Sequence, residues 1–210
     1  MTILGIAAMA AARPEALFAT LPLCACFFIP VAAGAIVIMV MYNSLVRGRN
    51  HVRESWSSID TELKRRYDLV PNLVESVKGY AKHEREVLER VTEARNRAVA
   101  STGSPESQAK DENVLVGALK RLLAVVEAYP DLKASGNFLA LQKQLTETED
   151  RIQAARRFYN ANVRDYNNRC EMFPTNVLAG WFHFEPAEFF EIEQAVERRA
   201  PAVDLGGKES

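Results

Sequence analysis

The chain has 210 residues, 48% hydrophobic and 25% charged, a composition typical of a folded protein rather than a disordered or fibrous one. Its 26 Lys and Arg residues balance 27 Asp and Glu residues to a net charge of -1, so we expect no nucleic-acid partner. Three cysteines exclude a disulfide scaffold and a four-cysteine zinc site, and the low counts of 10 Gly and 9 Pro disfavour an all-β chain.

The N-terminal part of the chain predicts a membrane anchor. Apart from Arg13 and Glu15, no charged residue precedes Arg47. About 20 apolar residues are enough to span a bilayer core, and residues 16–42 meet that length, with Tyr42 where an interfacial aromatic residue is typical. A cleaved signal peptide is the alternative, but the uncharged stretch is about twice as long as a signal peptide's apolar region. We predict a retained single-pass anchor over residues 16–42, after an N-terminal tail over residues 1–15.

The charges that flank this stretch predict its orientation. Arg47, Arg49 and Arg53 follow it closely, whereas only Arg13 precedes it. Positively charged residues favour the cytoplasmic side of a span. The sequence therefore predicts that the C-terminal part of the chain lies in the cytoplasm.

After the anchor, apolar residues recur with the helical period. Val52, Trp56, Ile59, Leu63 and Val70 alternate in steps of four and three residues, with a gap at Arg66. This pattern predicts one helix that runs out of the membrane stretch. Pro71 predicts a corner or a sharp kink at its end.

The same periodicity of apolar residues predicts further helices. A second ends at the loop Ser101–Pro105, a third is closed by Pro130, and a fourth runs from Phe138 to Phe173 before Pro174. The sequence therefore predicts an all-α protein, in which the transmembrane helix continues into an elongated antiparallel up-down bundle of about four long helices plus a short C-terminal helix. The bundle domain is expected over residues 43–200 and a flexible tail over residues 201–210. An intermolecular coiled coil is the alternative use of the apolar stripes.

The sequence contains no recognisable catalytic constellation. The Glu-x-x-His pairs of a di-iron bundle, the zincin motif and the phosphate-binding loop are all missing. Cys170 lies on an apolar stripe, which is typical of a core cysteine. We expect no cofactor, no metal site and no enzymatic activity.

Two basic clusters and one aromatic segment are candidate interaction sites. Lys64, Arg65 and Arg66 are flanked by acidic residues, Asp68 among them, which favours local ion pairs over recognition of a partner protein, and Arg156 and Arg157 are interpreted in the same way. The aromatic segment from Trp181 to Phe190 could pack on the bundle, lie on the bilayer or bind a partner. Its glutamates disfavour an anionic membrane surface, so packing on the bundle is the favoured interpretation.

Three ordered blocks of the sequence resemble the LemA family. The first runs from Tyr42 to Ala81 and includes Asp68-Leu69-Val70-Pro71-Asn72, the second is Glu127–Ala134, and the third runs from Phe138 to Pro174. The resemblance implies a bacterial protein of the cytoplasmic (inner) membrane with a helical-bundle domain. Some relatives have lipoprotein-type N-termini, which leaves an exported orientation open. Polar residues at positions shared with the family form a candidate network: Asn72, Lys78, Tyr80, Glu127, Arg156, Tyr159, Asn160, Tyr166 and Asn167.

Three functions are compatible with these features. The first is a non-enzymatic scaffold or assembly protein of the bacterial envelope, held by membrane lipids through its N-terminal helix and acting through a homo-oligomer or a membrane-protein partner. The second is a regulator or an enzyme that uses the shared polar residues. The third is a lipid-binding protein that remodels membranes. The missing catalytic motifs favour the first.

Overall fold

The computed structural model describes residues 14–81 and 83–192, with side chains from residue 28 onward. Its helices are α1 (Pro14–Lys78), α2 (Arg85–Ala100), α3 (Pro105–Val126), α4 (Pro130–Lys133), α5 (Gly136–Glu171) and α6 (Thr175–Trp181). These residue ranges contain no β-strand, and the predicted all-α class is confirmed. Most of the predicted N-terminal tail, residues 1–13, and the predicted tail at residues 201–210 lie outside the described residues.

The chain divides into two compact units. The first comprises the described residues up to Arg47 together with Arg169–Phe184, and the second comprises Gly48–Asn168 with the described residues from Glu185 onward. Helix α1 contributes to both units.

In the first unit, α1 is apolar on all sides from Phe28 to Met41. The side chains of Phe28, Ile29, Ile36 and Met39 are between 61% and 67% exposed. From Phe28 onward the helix is long and apolar enough to cross a membrane. A helix with apolar and largely exposed residues on every face is typical of a bilayer span.

The first unit also has a small core of its own. Leu45 on α1 and Leu178 and Ala179 on α6 are all buried. The guanidinium group of Arg169 donates hydrogen bonds to the carbonyl oxygen of Ser44 at 3.2 Å and to its hydroxyl oxygen at 3.1 Å. The end of α5 is thereby fixed to α1 just beyond its apolar stretch.

The second unit is a bundle around one apolar core. Each large apolar side chain that the core buries contributes about 1.5–3 kcal/mol, so the stripes predicted from the sequence stabilise this unit. Every helix of the unit contributes to this core, whose members include Leu73, Val77, Leu88, Val91, Leu115, Leu119, Leu122, Leu132, Phe138 and Leu145.

Helices α2 and α3 form an antiparallel hairpin at the predicted loop. Ser104 caps α3 by accepting a hydrogen bond from the Ser107 amide, and Pro105 occupies the first turn, where its missing N–H is harmless. Across the hairpin, Arg97 Nε lies 2.6 Å from Asp111 Oδ1. The loop signal in the sequence therefore marks a true reversal of the chain.

The corner predicted at Pro71 is wrong. Helix α1 continues through Pro71 to Lys78, and the chain turns only before α2 begins at Arg85. A proline inside a helix leaves the carbonyl group four residues earlier without its usual donor, here that of Tyr67. Arg95 of α2 supplies the missing donor, because its Nε lies 3.3 Å from the Tyr67 carbonyl oxygen. A contact from a neighbouring helix thus lets α1 pass the proline.

This contact predicts a coupling between Arg95 and Pro71. Replacing Arg95 by Met removes a hydrogen bond from a charged donor, which contributes about 1.5–3 kcal/mol. In a Pro71→Ala background the restored backbone N–H satisfies the Tyr67 carbonyl, so the same replacement should lower the free energy of unfolding much less. Urea unfolding of the four variants in detergent, followed by circular dichroism, measures the coupling. Equal losses in both backgrounds would contradict this explanation.

Candidate functional site

One face of α5 carries five of the polar residues singled out in the sequence. Arg156, Tyr159, Asn160, Tyr166 and Asn167 are separated by steps of three, one, six and one residues, which places them along one side of a helix. All five contact the same extended segment, residues 185–192. We call these five residues the clamp and residues 185–192 the strap.

The two clamp asparagines bind the strap in the same way. Asn167 Nδ2 donates to the Ala187 carbonyl at 2.9 Å, and the Ala187 amide donates back to Asn167 Oδ1 at 2.8 Å. Asn160 forms the same pair with Phe190, at 3.1 Å and 3.0 Å. A carboxamide has one acceptor side and one donor side. Each asparagine therefore satisfies one N–H group and one C=O group of the strap, as a neighbouring strand does in a β-sheet.

The other three clamp residues donate hydrogen bonds to strap carbonyl groups that the two asparagines do not contact. Tyr166 donates to Glu185 at 3.0 Å, Tyr159 to Glu188 at 2.9 Å and Arg156 to Ile192 at 2.5 Å. All of these clamp hydrogen bonds are made to main-chain groups of the strap. The clamp therefore recognises an extended backbone rather than particular side chains.

Phe190 anchors the strap by its side chain. It is 0% exposed, and its ring meets that of Trp56 of α1 edge-on at 5.2 Å, while Trp56 meets Tyr159 at 5.3 Å. Such edge-to-face pairs add about 0.5–1.5 kcal/mol to simple burial. Burial, together with the charge of Glu188, raises the pKa of Tyr159 to about 12. Like other tyrosines, Tyr159 is protonated at neutral pH and its hydroxyl can donate.

A second polar cluster lies inside the second unit. Arg66 is 0% exposed, and its Nη1 lies 2.7 Å from Glu149 Oε1 of α5, while its Nη2 pairs with Glu112 of α3. The hydroxyl of Tyr67 donates to the other carboxylate oxygen of Glu112. The cluster therefore joins α1, α3 and α5 through charge-assisted hydrogen bonds, which are stronger than neutral ones.

The electrostatics of this cluster depend on burial. Burial lowers the pKa of Arg66, but Glu149 and Glu112 outweigh it and the pKa stays above its ordinary value. Burial raises the pKa of Glu112, and Arg66 and Tyr67 only partly offset that rise. The carboxylate of Glu112 thus depends on Arg66 to remain charged in the interior.

The remaining sequence candidates lie elsewhere on the surface. Lys64 pairs with Asp60 at 2.7 Å and Arg65 with Glu62 at 3.4 Å, so local ion pairs form at these two positions. Arg66 is different, because its partners come from other helices. The structure gives Asn72, Tyr80, Glu127, Asp68 and Arg157 exposed side chains, and Lys78 pairs with Glu75 at 3.4 Å. The clamp does not include them.

Glu112 and Glu149 were not among the predicted site residues, although the sequence contains a signal for the first. The gap at Arg66 falls on the seven-residue repeat Leu45, Val52, Ile59, Arg66 and Leu73, and Glu112 precedes Leu115 and Leu119 in steps of three and four. Two charged residues on core-facing positions of two helices indicate a buried pair. Within the described residues, no group of three potential metal ligands converges.

Known proteins are similar to this chain over most of its sequence. The model of the LemA family matches residues 55–205, which include Arg66, Glu112, the clamp and the strap. Two magnetosome proteins of Paramagnetospirillum magneticum strain AMB-1, MamQ 1 and MamQ 2, are each 28% identical over 190 residues, covering 79% of this chain and 70% of the relative. Protein LemA of Metamycoplasma hominis is 31% identical over 141 residues, covering 65% of this chain and 63% of that protein.

The clamp geometry predicts which substitution releases the strap. Asn160→Ala removes both hydrogen bonds to Phe190, each contributing about 1 kcal/mol, so exchange of the Phe190 amide hydrogen should accelerate roughly 10-fold or more. Hydrogen–deuterium exchange with mass spectrometry measures this. Asn162→Ala is the matched control, because Asn162 lies on the same helix and its Nδ2 is buried without a hydrogen-bond partner. Equal exchange in the two variants would show that the asparagine does not hold the strap.

The buried cluster predicts a non-additive pair of substitutions. Arg66→Met leaves Glu112 without its counter-charge in the interior and should lower the free energy of unfolding by about 3–5 kcal/mol. Adding Glu112→Gln removes the stranded charge, so the double variant should recover most of that loss. Urea unfolding in detergent measures both variants.

The loss caused by Arg66→Met should also depend on pH. Without Arg66 the pKa of Glu112 rises further, so the native variant binds a proton that its unfolded state releases above about pH 4.3. The Arg66→Met variant is therefore destabilised as the pH rises through the pKa that Glu112 has in the native state. Its loss of unfolding free energy relative to the wild type should be smaller near about pH 5 than near about pH 8. A loss independent of pH, with no recovery in the double variant, would exclude a stranded carboxylate as the cause.

Proposed function

The chain belongs to the LemA family and is a membrane-associated helical protein, and from this premise we propose that it is a single-pass scaffold of the bacterial cytoplasmic membrane. It acts by assembling with further copies or by recruiting a membrane-protein partner, rather than by catalysis. Its bundle faces the cytoplasm, in accordance with the positive charges after the span.

The observation that carries this proposal is the clamp. The polar residues shared with the family are the candidates for a reactive site, and five of them instead hold main-chain groups of the chain's own strap. Arg66 is likewise engaged with Glu112 and Glu149 inside the bundle. Side chains engaged in this way support a stable binding surface rather than a substrate pocket.

The role of α1 as a membrane tether has independent support. The apolar side chains of α1 from Phe28 to Val40 are exposed along the helix, a pattern that is stable in lipid and unfavourable in water. Arg47, Arg49 and Arg53 follow directly. Some relatives are named as magnetosome proteins, and we extend to this chain the idea of a component that works in a membrane-bound assembly.

Crosslinking in the membrane tests the proposal. A photo-reactive phenylalanine replaces Phe158, a large apolar side chain on α5 that is 62% exposed, and the matched control carries it at Thr146, an exposed polar position of the same helix. We expect an adduct with a second copy or a membrane protein at Phe158 and much less at Thr146. The mass of the detergent-solubilised protein should exceed that of a monomer. A monomer that forms no adduct, or a chain that alkaline carbonate washes from membranes, would overturn the proposal.

A further inference from the structure

The segment Met172–Phe184 has a composition unlike that of the chain around it after the apolar stretch of α1. It contains no Asp, Glu, Lys or Arg, although a quarter of the whole chain is charged. It joins the end of α5 to the strap and includes α6. The strap explains where the aromatic segment after residue 184 packs, but it does not explain this uncharged stretch.

Large apolar side chains of this segment are uncovered. Phe173 is 82% exposed and Trp181 is 74% exposed, and Met172, Val177 and Phe182 are also exposed. On α6, Val177 and Trp181 are four residues apart and share the outer face, whereas Leu178 and Ala179 are buried. Helix α6 therefore has one face in the small core and an apolar face outside it.

The first unit places this segment beside the end of the apolar stretch of α1. The ring of Phe182 lies 4.9 Å from that of Tyr42 and the ring of Phe184 lies 5.7 Å from it, both edge-on. Arg169 holds the preceding turn of α5 to Ser44. The uncharged segment therefore adjoins the end of the apolar surface of α1. It begins directly after the last charged residue of α5.

We propose that Met172–Phe184 lies in the headgroup layer of the same bilayer that α1 spans, as a second membrane contact of the protein. Aromatic residues with an apolar body and a polar edge concentrate at this layer, and Tyr42 and Trp181 are residues of this kind. A short helix with one apolar outer face lies in the interface plane rather than across it. This inference rests on the proposed membrane tether, because the level of Tyr42 in the bilayer is set by the span.

The two tryptophans allow a direct test. Trp181 is exposed in the first unit, whereas Trp56 packs against Tyr159 and Phe190 in the second. The full chain is reconstituted in phosphatidylcholine vesicles that carry bromine either near the carbonyl end or near the methyl end of the acyl chains. We expect the wild type to lose fluorescence, more strongly with shallow bromine than with deep bromine. Trp181→Phe should abolish most of this quenching, because only the shielded Trp56 remains.

The outcomes separate this inference from the tether. A chain that resists extraction by alkaline carbonate but shows the same quenching in the wild type and in Trp181→Phe overturns the interfacial contact and leaves the tether intact. Stronger quenching by deep than by shallow bromine places Trp181 in the bilayer interior and overturns the interfacial position. A chain that carbonate removes overturns the tether and this inference together. Because Trp181 is exposed, its replacement by Phe leaves the core of the first unit unchanged, and circular dichroism checks the fold.

Discussion

A single turn and a half of α1, residues 66–71, determines how the bundle is assembled. Its buried guanidinium group requires the carboxylates of Glu112 and Glu149, and the proline at its end requires Arg95 of α2. Each requirement is met by a different helix, so the partners must align in one register to satisfy all of them. Apolar stripes alone allow neighbouring helices to slide by a heptad, whereas a buried charge at one core position does not.

The sequence was sufficient for the class and for several helix ends. The helical period, the loop at Ser101–Pro105 and the start of α5 near Phe138 follow from local residues, and the structure has them there. The corner at Pro71 was wrongly predicted because the group that compensates for the proline comes from Arg95, 24 positions further along the sequence. Local propensity contains no information about such a donor, since it depends on which helices become neighbours.

The candidate site was predictable only in part. Polar residues of α5 could be listed from the sequence, and their spacing indicated a shared face. Their partner could not be identified, because main-chain groups of residues 185–192 look alike at every position. Likewise, the short spacing between Arg65 and Glu62 indicated an ion pair, while the pairing of Arg66 with Glu112 and Glu149 joins residues that are far apart in the sequence.

Attachment through amide and carbonyl groups has a consequence for the outward side of the strap. Glu185 and Glu191 are exposed, and the clamp contacts the carbonyl of Glu185, not its side chain. Related proteins could thus exchange acidic for basic or neutral residues at these two positions and keep the segment seated, provided that Phe190 still fills its aromatic niche. The electrostatic character of this surface would then diversify independently of the helix that supports it.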